Sequence, residues 1–379
     1  MQVAQSRWSE AWGWEASPGE DLGGKADLVL VFASRSLFED GGPLEEVRDR
    51  YPAAHVMGCS TAGEIRGTQV ADDTLVATAV RLEGTRLAGE RVDLAEVGDS
   101  RQAGEVLAQA LDPDGLVHVF VLSDGTHVNG SDLVRGLTAH LPPHVTVTGG
   151  LSGDGTRFQE TVVLWDGVPR KGAIAILGFY GDRLRVGCAS LGGWDPFGPE
   201  RLVTRSEGSV LYELDGRSAL ALYKEYLGEH AKGLPATGLL FPLSIRTPGS
   251  ESSGLVRTIL SVDERDQSLT FAGDVPRGAY ARLMMANVDR LVDGAVGAAR
   301  NCTQAVGTGV DLAILISCVG RKLILKQRVE EEIEAVRDVL GERAVLAGFY
   351  SYGEISPFTP SARCELHNQT MTVTTFSER

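Results

Sequence analysis

Three loops of this 379-residue chain set a glycine beside an acid: Gly63-Glu64, Gly153-Asp154 and Gly353-Glu354. A glycine at a strand end lets the backbone turn tightly or approach a ligand closely. A carboxylate next to it can pair with an ammonium group, while exposed backbone N–H groups can take a carboxylate. Together they suit a zwitterion such as an amino acid. The same residues also suit plain turns, with the acids capping the next element. Cys59, Ser60, Thr61, Ser152 and Tyr352 share these loops and join Glu64, Asp154 and Glu354 as candidate ligand-binding residues. A fourth polar loop, Ser123 to Asp132, adds Asp124, His127 and Asn129. There Asn129 or Ser131 would cap the following helix while Asp124 holds the turn.

Covalent catalysis has weaker support. Cys59-Ser60-Thr61 superficially resembles a nucleophile turn, yet Gly58-x-Ser60-x-Ala62 is not the GxSxG elbow. A nucleophile at Cys59 or Ser60 also needs a base within hydrogen-bond reach, which His127 or His367 would have to supply through the fold. No HExxH, Cys–His cluster, calcium loop or Walker lysine loop is present. The chain therefore reads as a binding protein, not an enzyme.

These loops need strands to carry them, and the chain repeats a suitable unit. An apolar stretch from Leu28 to Phe32 precedes an amphipathic helix from Leu44 to Tyr51, and Ala54 to Met57 then leads into Gly58. The order recurs from Leu312 to Ile316, through a helix from Val329 to Leu340, to Ala344–Ala347 and Gly348. A weaker copy runs from Leu116 to Leu122, through a helix from Ser131 to Leu141, to Val145–Val147. Strand-like sequence follows each copy. Thr74 to Leu82 and Arg86 to Val92 read as a hairpin through Glu83-Gly84, and Thr161 to Trp165 and Ala173 to Phe179 as another through Asp166-Gly167. Leu366 to Phe376 closes the chain with a period-two strand. The fold class is α/β (mixed α+β): three related βαβ units with added antiparallel strands. A βαβ crossover puts each acid-bearing loop at a carboxyl strand end, where ligands bind in open α/β sheets. Residues 195–260 break the pattern with a Pro/Gly loop, a short helix from Arg217 to Leu227 and a Pro-interrupted strand from Leu239 to Leu243.

Gly58 to Ile65, Ser123-Asp124-Gly125 with Val128 to Ser131, Gly149 to Asp154, Gly348 to Pro357 and Glu365 to Met371 together resemble the FIST family of sensory proteins. The motifs occur in order between about residues 26 and 376. The resemblance implies a two-part architecture, with an N-terminal domain over 26–220 and a C-terminal domain over 221–376. It implies a signal-transduction input that binds a small ligand such as an amino acid. It also implies a rival: a haem-binding nitric-oxide sensor acting on a histidine kinase or a cyclic-di-GMP enzyme. Haem needs an axial ligand beside an apolar slot, and His127 and His367 are the candidates because each lies in a family-like motif. With no output sequence in the chain, signalling is expected to pass to a separate partner.

Bulk properties narrow the partners. A formal charge of -15 opposes binding to nucleic acid or to an anionic membrane surface. No apolar run approaches the roughly 20 residues of a membrane span. Five scattered cysteines without CxxC spacing, and no signal-peptide pattern, lead to the expectation of a reduced, cytoplasmic protein.

Overall fold

The computed structural model describes residues 1–16, 22–249, 254–307, 309–359 and 362–379. Each repeat becomes a parallel strand pair: Leu28–Ala33 with His55–Ser60, Leu116–Ser123 with Thr146–Leu151, and Leu312–Cys318 with Val345–Ser351. A third strand lies antiparallel to the first of each pair, namely Thr74–Arg81, Ala173–Tyr180 and Met371–Glu378. A fourth strand extends each sheet on that side: Gln2–Ser9, Arg86–Asp93 and Leu184–Leu191.

The far edge of each sheet is closed by a strand from another unit. Val163–Trp165 of the second unit pairs with His55–Ser60 of the first. Gly353–Pro357 of the third pairs with Thr146–Leu151 of the second, and Glu64–Arg66 of the first pairs with Val345–Ser351 of the third. The exchange is cyclic, so no unit completes its own sheet. It also protects edges that would otherwise present unpaired backbone groups.

The three sheets face a shared core. Phe32, Met57, Phe120, Leu122, Ile314, Phe349 and Phe376 meet there, drawn from all three units. Helices cover the outer faces. Ser100–Ala110 packs on Gly130–His140, and Val288–Val306 on Val329–Leu340. The last helix has the bounds its apolar spacing predicts.

The two predicted hairpins are corrected. Thr74–Arg81 and Arg86–Asp93 are both strands but belong to different sheets, as do Val163–Trp165 and Ala173–Tyr180. The burial pattern gives the reason. Thr74–Arg81 is buried on both faces, which suits a central strand, whereas Arg86–Asp93 is half exposed, which suits an edge. Glu83-Gly84 therefore carries the chain from one unit to the next. In the irregular region the helix is Ala219–Leu227, and the Pro-interrupted stretch forms a 3₁₀ turn, Ala236–Leu240, before a strand at Leu243–Arg246. This region, residues 195–285, forms a separate antiparallel sheet with its own core around Leu211, Leu220, Tyr223, Phe271 and Leu283.

One glycine per repeat is required by the parallel pairs. Gly58, Gly149 and Gly348 sit opposite Val31, Val121 and Leu315. A Cβ there would lie 2.2, 1.8 and 1.9 Å from those residues' carbonyl oxygens. Gly58→Ala is therefore expected to destabilise the protein by about 1–3 kcal/mol. Urea unfolding would read this as a lower midpoint, and an unchanged midpoint would show that the strands can separate without cost.

Candidate functional site

The second strand of each unit ends where the three units meet. Just past that end, a backbone N–H donates to the carbonyl of another unit: Ala62 to Tyr350 at 2.8 Å, Tyr352 to Leu151 at 3.1 Å, and Gly153 to Ser60 at 2.8 Å. Donors and acceptors occupy equivalent positions, so the bonds form a closed ring. All three predicted Gly-acid loops emerge from it.

Two of the acids repeat one arrangement. Glu64 accepts from the Thr61 hydroxyl, and from the Thr74 N–H and hydroxyl at 3.1 and 2.7 Å. Glu354 accepts from the Ser351 hydroxyl at 2.6 Å, and from the Thr370 N–H and hydroxyl at 3.2 and 2.9 Å. Both carboxyls are buried. Burial outweighs these hydrogen bonds and raises Glu64 to about 7 and Glu354 to about 8. The second unit differs: Asp154 accepts from the N–H groups of Phe158, Gln159 and Glu160 at 2.8, 3.1 and 3.0 Å, and from the Tyr352 hydroxyl. Each acid is thus engaged by its own loop or by a neighbouring unit.

Several other candidates also face inward. Cys59 lies in the central core, and burial, aided by Glu64, raises its thiol well above the usual range. The Ser60 hydroxyl accepts from the Val162 N–H at 3.0 Å, and the Ser152 hydroxyl donates to the Ser123 carbonyl at 2.9 Å. Asp124 is buried, which raises its pKa. The N–H groups of Gly172, Thr126 and His127 and the Thr126 hydroxyl prevail and bring it below the usual carboxylate range. Asn129 caps the helix Gly130–His140 by accepting from the Asp132 N–H at 3.1 Å. His367 is buried, its Nε2 lies 2.7 Å from the Ser356 carbonyl oxygen, and burial lowers its pKa to about 4. His127 differs, with 57% of its side chain exposed and Nδ1 3.1 Å from Asp124. Among the described residues, no histidine hydrogen-bonds to Cys59 or Ser60, and no His/Cys/Asp/Glu cluster is placed to hold a metal.

Two cavities open beside the ring. A cleft of about 610 Å³ takes Thr61 to Glu64 and Asp72-Asp73 from the first unit, Asp154 to Arg157 from the second, and Val319, Lys322 and Lys326 from the third. Lys322 donates to the Ala62 carbonyl at 2.9 Å and pairs with Asp72. A second cavity of about 310 Å³ lies between the inserted sheet and the residues around His127 and Tyr352. The cleft brings Thr61, Glu64 and Asp154 together. Asn129, His127 and Tyr352 line the other cavity, and Glu354 lines neither. Sequence reasoning missed Asp72, Asp73, Lys322 and Lys326. The available signal was Arg321-Lys322 with Lys326, placed just beyond the apolar strand Leu312–Cys318.

The fold is a mixed α/β assembly of three related units, with clefts at their carboxyl strand ends. The FIST N domain matches residues 27–217 and the FIST C domain matches residues 219–357. The chain belongs to the FIST family, whose domains are sensory. It is 24% identical over 359 residues to an uncharacterized protein of Methanocaldococcus jannaschii, a match covering 87% of this chain and 66% of that one. An uncharacterized Mycobacterium tuberculosis protein is likewise 24% identical over 356 residues, covering 89% of this chain and 88% of that one. A crystal structure of cyanuric acid hydrolase from A. caulinodans covers 78% of this chain and 99% of its own at 10% identity, with a TM-score of 0.18, too low to bear on fold or function. Among the described residues no helix is long and apolar enough to cross a membrane.

The raised carboxyls make stability depend on pH. Folded pKa values of about 7 and about 8 lie above an ordinary 4.5. The folded state therefore holds these protons after the unfolded chain has released them. Their contribution is full below about pH 4.5 and falls as pH rises to 7–8. The urea midpoint is expected to drop across that window, and to drop less in Glu354→Gln, which mimics the protonated form. Equal slopes in both proteins would show that Glu354 does not titrate this way.

Proposed function

We propose that this chain is a sensor for a small zwitterion of amino-acid size, that the ligand sits in the cleft of about 610 Å³, and that a separate protein reads the outcome. One observation carries the reading: loops of all three units line a single cleft whose walls include both Arg157 and Lys326 and both Asp72 and Asp73. A ligand carboxylate would take Lys326 and Arg157, which also lies 3.9 Å from Asp154, and its ammonium would take Asp73. Lys322 is already committed to Asp72 and the Ala62 carbonyl, so it orders that wall. Glu64 and Asp154 support the wall from within. A ligand touching three units favours one arrangement of them, and it shifts the population only by its difference in affinity for the two states. A histidine kinase or a cyclic-di-GMP enzyme acting in trans fits that output, and the negative surface charge fits neither nucleic acid nor membrane as partner.

The rival readings draw less support. An enzyme would need Cys59 or Ser60 at a substrate, and both are buried. A haem site would need an apolar slot at His127 or His367. His367 is enclosed, and His127 stands half exposed in a polar loop with its Nδ1 beside Asp124.

Calorimetric titration with the common amino acids tests the proposal. At least one should bind saturably, and Asp73→Asn and Lys326→Ala should each weaken it by about 10–100-fold, the range for losing one hydrogen bond to a charged group. Absence of saturable binding, or unchanged affinity in both variants, would contradict it.

A further inference from the structure

We propose that the second cavity is a ligand site in its own right and takes a planar heteroaromatic ring carrying an N–H donor. The inference does not depend on what occupies the first cleft. One wall comes from the three-unit body, with Leu151, Phe158 and Tyr352, and the other from the inserted sheet, with Leu260 and Phe271. The rings of Phe158 and Tyr352 stack at 4.3 Å with their planes 17° apart, which offers a flat aromatic surface.

Two features of the walls point to an occupant. Phe158 and Leu260 remain 45% and 48% exposed, although both are large and apolar. Phe158 also holds φ at +53°, a conformation that is costly for an aromatic residue and is kept only when its surroundings enforce it. Here they do: the Phe158 N–H donates to Asp154 at 2.8 Å and to the Tyr352 hydroxyl at 3.1 Å. A glycine would make this turn without cost. A phenylalanine puts a ring at the mouth of the cavity.

His127 sets the polar requirement. Asp124 accepts from three backbone N–H groups and from the Thr126 hydroxyl, so it is an ionised acceptor. Nδ1 of His127 lies 3.1 Å from that carboxylate and 3.0 Å from the Thr126 hydroxyl, and its N–H donates to the carboxylate. That leaves Nε2 with a lone pair, which calls for a ligand N–H. The volume of about 310 Å³ lies at the small end of the range for ligand pockets and suits one or two fused rings. Such a ligand would bridge the three-unit body and the inserted sheet, which are already tied nearby by Asn129 to Asp274 at 3.3 Å and by Arg257 to the Leu366 carbonyl at 2.9 Å.

The test is calorimetric titration of the full chain with adenine, uracil, indole and benzimidazole, each beside its N-methylated counterpart. The variants are Phe158→Ala, Leu260→Ala and His127→Leu, all at exposed positions and checked for folding by circular dichroism. At least one ring should bind saturably with one site per chain. Its affinity should fall about tenfold or more in each variant and on N-methylation, and stay at the wild-type value in Lys326→Ala. The proposal is overturned if none of the four rings binds saturably, if affinity survives both Phe158→Ala and His127→Leu, or if Lys326→Ala abolishes binding, which would place the ring in the first cleft.

Discussion

Three backbone hydrogen bonds, from Ala62 to Tyr350, from Tyr352 to Leu151 and from Gly153 to Ser60, join the units head to tail at the carboxyl ends of their strands. A buried N–H or carbonyl left unpaired costs about 1–3 kcal/mol. No unit can satisfy its own loop here, so each depends on another. The cyclic exchange of edge strands extends the same dependence across the sheets. Closing one junction sets the others, and the loops that bear the acids are positioned by the assembly and not by any single βαβ unit.

The departures from three-fold equivalence are where the two cavities arise. The first and third units keep a buried glutamate, a Ser or Thr three residues before it, and a threonine at the start of the third strand. The second unit has Gly155 and Ala173 in place of the glutamate and that threonine. Its acid, Asp154, instead gathers the turn through Glu160 and receives the Tyr352 hydroxyl. That segment separates the two cavities, with Asp154 to Arg157 on one and Phe158 on the other. The inserted sheet adds the second asymmetry. Trp194 joins it to the third unit, its indole donating to the Gln369 carbonyl at 2.9 Å, and the fully buried Arg321–Glu332 pair lies below.

Much of the fold was legible in the sequence because each repeat carries its own signals. Gly58, Gly149 and Gly348 mark the same close strand approach, and Val329, Ile333, Val336 and Leu340 write one helical face. Partner choice among strands was not legible. Glu83-Gly84 looks like a hairpin turn locally, and only the open edge of another unit's sheet decides otherwise. The convergence of the candidate loops was legible in part. The Gly-acid loops do converge, but their carboxylates turn inward to hold loops, and the side chains left at the rim, such as Asp73 and Lys326, stand far apart in sequence. Spacing along a chain cannot reveal which residues of three separate units will share one cleft.

Native-state hydrogen exchange of the Ala62, Gly153 and Tyr352 amides tests the central claim most directly. If the ring is the junction that the whole assembly depends on, all three should exchange only through global unfolding, with one common free energy that tracks denaturant. Exchange of any of them through a local opening, at a free energy well below the global value, would contradict the account.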